Sequence, residues 1–154
     1  MEPDPMEPAE NRADTRSLFI AAPPAQVFAA MSDPARVTRW WGPDGFTNTI
    51  HEFDFRPGGT WLLTMHGPDG TDYPNESRFR RLAAGELFEI EHLSGHHFML
   101  SIELRPSGPG TEVHWRQTFG TIDHYRQIAA FVATANEQNL RRLAAEVLRA
   151  ADAA

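Results

Sequence analysis

Two changes of hydrophobic period constrain this chain more than any motif. From Phe46 to Phe119 apolar and polar residues alternate, and turn signals break the alternation at regular intervals. From Asp123 to about Arg149 there is no Gly or Pro. In that stretch Ile128, Phe131, Val132, Ala135, Asn139, Leu143 and Val147 fall at helical spacing along one stripe. The first region reads as an antiparallel meander, the second as one long helix with Thr121 as its N-cap. Arg56-Pro57-Gly58-Gly59 sets Pro and Gly where a type II turn takes them. Further breaks fall at Gly67-Pro68-Asp69-Gly70, Ala84-Gly85, Ser94-Gly95 and Pro106 to Gly110. They delimit six strands at 46–55, 60–66, 73–82, 86–93, 97–105 and 111–119, and Ser17 to Ala21 adds a first strand. Between that strand and the meander, Pro24 opens one short helix and Ser32 or Asp33 caps a second, which runs to Trp41. The fold class is therefore α+β: a curved seven-stranded antiparallel sheet wrapped around a long C-terminal helix, with two short helices between the first two strands. Only the long helix is large enough to cover one sheet face. A sheet curved around a single helix favours a cavity between the two layers.

Length and charge narrow the function classes. A chain of 154 residues suits one domain with a real core. The net charge of −7, with 14 basic and 21 acidic residues, argues against a nucleic-acid surface and an anionic-membrane surface. Five carboxylates and one Arg leave −4 of that charge in residues 1–14, a Pro- and Glu-rich stretch that reads as a disordered acidic tail. The domain is expected over 15–150, and a chain starting near Thr15 is expected to fold. The N-terminus has no basic and apolar regions of a signal peptide, and no apolar run is long enough for a membrane span, so a cytoplasmic location is expected. Without Cys, thiol catalysis, disulfides and thiolate metal sites are excluded; without Lys, so is Schiff-base chemistry. His, carboxylates and Arg are the strong chemical groups that remain.

Register places candidate site residues. Pairing Leu93 with His97 sets His92 opposite Phe98, Ile90 opposite Leu100 and Phe88 opposite Ile102. The same inner face should carry Trp61, Leu63 and Met65, then Val113, Trp115, Gln117 and Phe119. On the second strand His51, Phe53 and Phe55 are expected to share that face. Trp41 is expected to enter the cavity, since adjacent helical residues point about 100° apart and only one of Trp40 and Trp41 can face it. His92 points inward, His97 outward and His96 sits in the turn, so no metal site is expected from them. Asp54 and Arg56 read as fixing the Pro-Gly-Gly turn. His51 and His92 read as wall residues before general bases. Glu103 takes the outward parity, whereas the face of Glu76, beside Pro74, stays open.

Several segments carry a family resemblance. They are Ile20-Ala21-Ala22-Pro23-Pro24-Ala25-Gln26-Val27-Phe28, Asp33-Pro34 leading to Arg39-Trp40-Trp41-Gly42, Asp54 to Trp61 (D-F-R-P-G-G-T-W), and Thr111 to Trp115 before the long helix. The chain resembles the START-like, helix-grip superfamily, which includes polyketide cyclases, and within it the activator of heat-shock protein 90 ATPase homologue-like family. The resemblance covers about Thr15 to Arg149. Many members carry a Gly-Trp pair in the last helix, where this chain reads Ala133 to Leu140 without one. The resemblance implies a small apolar ligand between sheet and helix. Trp41, Trp61, Met65, Phe98, Trp115, Phe131, Ala135 and Asn139 would line the site, with His51, His92 and Gln117 as polar contacts and no cofactor or metal. It also implies two alternatives. One is a cyclase or dehydratase pairing His51 with Glu76 or His92. The other is a chaperone-interacting, ATPase-activator-like domain; activators of that kind carry an additional domain, for which no room is expected in this chain. A homodimer is implied as well. Binding ranks above catalysis because the pattern points few strong chemical groups inward.

Overall fold

The computed structural model describes residues 8–153. A 3-10 turn, Ala9–Asn11, precedes β1 (Ala13–Ile20), followed by α1 (Pro24–Ser32) and α2 (Pro34–Trp40). Then come β2 (Thr47–Phe53), β3 (Thr60–His66), β4 (Asp72–Ala83), β5 (Leu87–His92), β6 (Phe98–Ser107), β7 (Gly110–Phe119) and α3 (Ile122–Ala153). The strands form one antiparallel sheet in the order β1-β7-β6-β5-β4-β3-β2, so the first strand pairs with the last. This is the helix-grip arrangement. No helix among the described residues is long and apolar enough to cross a membrane.

Local chemistry explains the breaks. Both short helices start with Pro, whose missing N–H removes no helical bond at that position. Asp33 caps α2 by accepting from the Ala35 N–H at 3.0 Å, and Thr121 Oγ1 accepts from the His124 N–H at 3.1 Å to cap α3. In the Arg56–Gly59 turn Gly58 has φ +83°, and a Cβ on Gly59 would lie 1.9 Å from the Asp54 carbonyl. Both positions therefore demand Gly. The Arg56 guanidinium donates to Asp54 across this turn, so the pair serves the turn. Pro74 sits where β4 has run past the end of β5, which removes the demand for a second ladder partner.

The inner face follows the expected register from β5 to β7: His92 pairs with Phe98, Ile90 with Leu100, Phe88 with Ile102, and these continue to Phe119, Gln117 and Trp115. Two expectations need correction. A bulge between Ile50 and Glu52 shifts β2 by one residue. Ile50 and Phe53 both keep the inner face, opposite Leu63 and Trp61, and His51 is turned out to solvent, bonded to Thr64 Oγ1 at 2.8 Å. The second concerns the tail. Its residues 1–7 lie outside the described residues, but β1 begins at Ala13, before the boundary expected at Thr15. Arg12 donates to the Phe119 carbonyl, and Asp14, only 6% exposed, accepts two bonds from Arg16. The acidic composition hid a carboxylate that the fold uses.

The core divides along the sheet. Phe53, Phe55, Phe79, Phe88 and Trp61 interlock at one end, and Phe28 of α1 reaches Phe55 at 5.8 Å between ring centres. A buried carboxylate joins the helices: Glu146 of α3 accepts from Arg36 of α2 at 2.9 Å and from Arg149 at 2.9 Å. Burial raises the Glu146 pKa, but the Arg149 and Arg36 hydrogen bonds outweigh it and hold the carboxyl below its ordinary value.

Candidate functional site

At the other end of the inner face lies a cavity of about 440 Å³. The sheet supplies Leu63, Met65, Asn75, Ser77, His92, Phe98, Leu100, Trp115 and Gln117; α3 supplies Phe131, Ala135, Asn136 and Asn139. The segment after α2 closes it with Trp41, Gly42, Pro43 and Phe46.

That closing segment has no regular structure of its own, and one side chain makes most of the bonds that hold it. The Arg142 guanidinium of α3 donates to five carbonyls, those of Arg39, Trp41, Gly42, Pro43 and Phe46, at 2.8–3.1 Å. Burial pulls the Arg142 pKa below its ordinary value. Asn139 adds two bonds, accepting from the Gly42 N–H and donating to the Trp40 carbonyl, and Asn48 donates to Trp41 from β2. Gly42 has φ +93°, and a Cβ there would lie 2.8 Å from the Met65 methyl. The wall is thus anchored through its backbone, and its position is set chiefly by α3.

Of the residues expected in the site, Trp41, Met65, His92, Phe98, Trp115, Gln117, Phe131, Ala135 and Asn139 line this cavity. Trp61 shares their face but is fully buried beneath Trp41, with ring centres 4.8 Å apart, and forms floor, not lining. His51 is outside altogether, for the bulge described above. The sequence reading missed Asn75, Ser77 and Asn136. Ser77 and Asn75 were accessible by parity, two and four residues before inward Phe79. Asn136 falls one turn after Val132 on the apolar stripe, where a polar residue is the signal.

The cavity is polar in two places. On β4 and β5, Ser77 lies opposite His92, whose ring stacks on Phe98 at 4.5 Å. The His92 Nδ1–H donates to the His96 carbonyl at 2.8 Å, and Nε2 is 2.6 Å from Asn75 Oδ1. Burial pushes the His92 pKa below 6.5. On the opposite side, Asn136 Nδ2 donates to Gln117 Oε1 at 2.8 Å and to Asp14 Oδ2 at 3.0 Å. No Asp, Glu or Arg lines the cavity. Glu76 is exposed on the outer face, so neither His51 nor His92 has a carboxylate partner inside. Among the described residues no group of three or more His, Asp or Glu converges to hold a metal ion. The arrangement can enclose an apolar molecule and offer it uncharged hydrogen-bonding groups.

Known proteins agree with this architecture. The family model described as Activator of Hsp90 ATPase homolog 1-like protein matches residues 21–147. Among curated proteins none matches. Solved structures do. One from Arthrobacter aurescens superposes with TM-score 0.84 at 21% identity, covering 93% of this chain and 90% of that one. One from Nitrosomonas europaea has TM-score 0.81 at 17% identity, covering 95% and 99%. One from Chromobacterium violaceum has TM-score 0.75 at 25% identity, covering 86% and 95%. These likenesses speak to the fold.

Proposed function

Since the chain belongs to the Activator of Hsp90 ATPase homolog 1-like family, we propose that it binds a small, largely apolar, uncharged ligand between the sheet and α3. The observation that carries this reading is the cavity of about 440 Å³ with aromatic walls and no charged side chain in its lining. Such a volume falls in the range of small-molecule sites, which combine apolar walls with a few placed polar groups. An anionic or cationic ligand would enter without a counter-charge and lose its hydration, which costs several kcal/mol or more.

The test is titration with N-phenyl-1-naphthylamine, an uncharged apolar dye that brightens on leaving water. One saturable site is expected. Ser77→Leu, which fills the cavity from its floor, should weaken the dye at least tenfold while the protein stays folded. A linear, unsaturable response, or a Ser77→Leu protein that binds as well as the wild type, would refute the reading. Native mass spectrometry of the purified protein then identifies any ligand retained.

A further inference from the structure

Gln117 lines the polar wall from β7, and a chain of hydrogen bonds behind it leaves its amide only one orientation. The chain starts at Asp14. Arg16 grips that carboxyl through both oxygens, at 2.8 and 2.9 Å. Burial raises the Asp14 pKa, yet the bonds from Arg16 and Asn136 bring it below its ordinary value, so the group is a carboxylate and only accepts. The Asn136 atom facing it must then be the amide nitrogen. That same nitrogen spends its other hydrogen on Gln117, whose facing atom must be the oxygen. Nε2 is what remains. It has no partner among the described residues, and it is not sealed from the cavity that Gln117 lines. Two residues back on the same face, the buried Trp115 indole N–H also lacks an acceptor. Two donors on this wall thus lack an acceptor among the described residues, and the indole is the more unusual of them, since a buried donor ordinarily has a partner.

We propose that Gln117 determines specificity in the cavity: its N–H, oriented by Asp14 through Asn136, selects apolar ligands that carry a hydrogen-bond-accepting oxygen, such as an aromatic ketone, over hydrocarbons of the same shape. The inference rests on the ligand-binding reading above. Asp14 is a positioning residue, since it acts only through Asn136.

The experiment uses two probes of closely matched, planar shape, 2-acetylnaphthalene and 2-isopropenylnaphthalene, each titrated against the fluorescence of the cavity tryptophans. The readout is the ratio of their two affinities, because a general loosening of the cavity changes both alike. In Gln117→Leu the ratio should fall about tenfold against wild type, as the loss of one buried donor–acceptor bond requires. Gln117→Met should repeat the result should the Leu variant prove unstable. Asp14→Asn lets Asn136, and then Gln117, turn over, and should lower the ratio in the same direction by about threefold. A ratio that stays at the wild-type value in the Gln117 variants overturns the inference alone. Absence of binding by both probes to the wild type overturns the cavity reading and this inference together.

Discussion

One end of the inner sheet face is solid, and the other is hollow, although both are rich in aromatic residues. At the solid end Phe79 stands 5.1 Å from both Phe53 and Phe55 and 5.8 Å from Trp61. At the hollow end Phe98, Trp115 and Trp41 face about 440 Å³ of space. The difference lies in what is laid over them. α1 lowers Phe28 onto the solid end. The hollow end is covered by α3, which presents Ala135, Asn136 and Asn139, while Phe131 stands 69% exposed at the rim. Aromatic content on a sheet face therefore says little about whether that face is closed; the size of the side chains arriving from the other layer decides it.

Phe79→Ala should cost about 3–5 kcal/mol in urea unfolding, because interlocked rings cannot collapse into the space left. A loss under about 1 kcal/mol would show that the solid end is loosely packed too. Arg142→Met should cost about 3 kcal/mol, since several partly buried carbonyls lose a charged donor at once. It should also weaken N-phenyl-1-naphthylamine at least tenfold, because Trp41 to Phe46 form the cavity wall. A variant that loses stability but binds as before would separate the wall from the cavity and contradict their coupling.

A smaller effect is expected with pH. His92 at the hollow end has its pKa depressed by burial below 6.5. The unfolded chain takes up a proton near 6.5 and the folded chain only at lower pH, so this contribution to stability is full above pH 6.5 and is lost as pH falls toward the folded value. Urea midpoints at pH 7.5 and 5.5 should show the decline, and His92→Gln should reduce it, leaving the part owed to His96, whose pKa burial also lowers. The carboxylates held low, Asp14, Glu89 and Glu146, lose their contributions only at more acid pH, below about 4.5. The smallest effect belongs to His51→Ala: within about 0.5 kcal/mol and no change in dye affinity, as for other exposed sites. A clear loss of binding there would restore His51 to the cavity and undo the bulge assignment.

These residues also show what a sequence can reveal. The register from β5 to β7 was legible because one pairing at the Ser94–His96 turn fixes every partner beyond it, and all of them alternate strictly. His51 was misread because a bulge inserts a residue without any Gly or Pro to mark it. Asp14 was misread because composition averages over a window, and the value of this carboxylate comes from Arg16 next door and Asn136 on α3. Trp61 had the correct face, but depth along that face depends on its overlap with Trp41, which no pattern encodes. Ser77 and Asn136 were readable in principle, as polar residues at apolar positions.

The grip of Arg142 on the closing loop has a consequence in time. Donor and acceptors are separated by 96–103 residues along the chain, and β1 likewise waits for β7. Contacts of such long range form late, after the loop-closure entropy has been overcome. A nascent chain emerging at about 5–20 residues per second would therefore display the aromatic wall for several seconds before the last helix exists to cover it. The hollow end is then the last part of the molecule to be completed and the part most exposed to premature association.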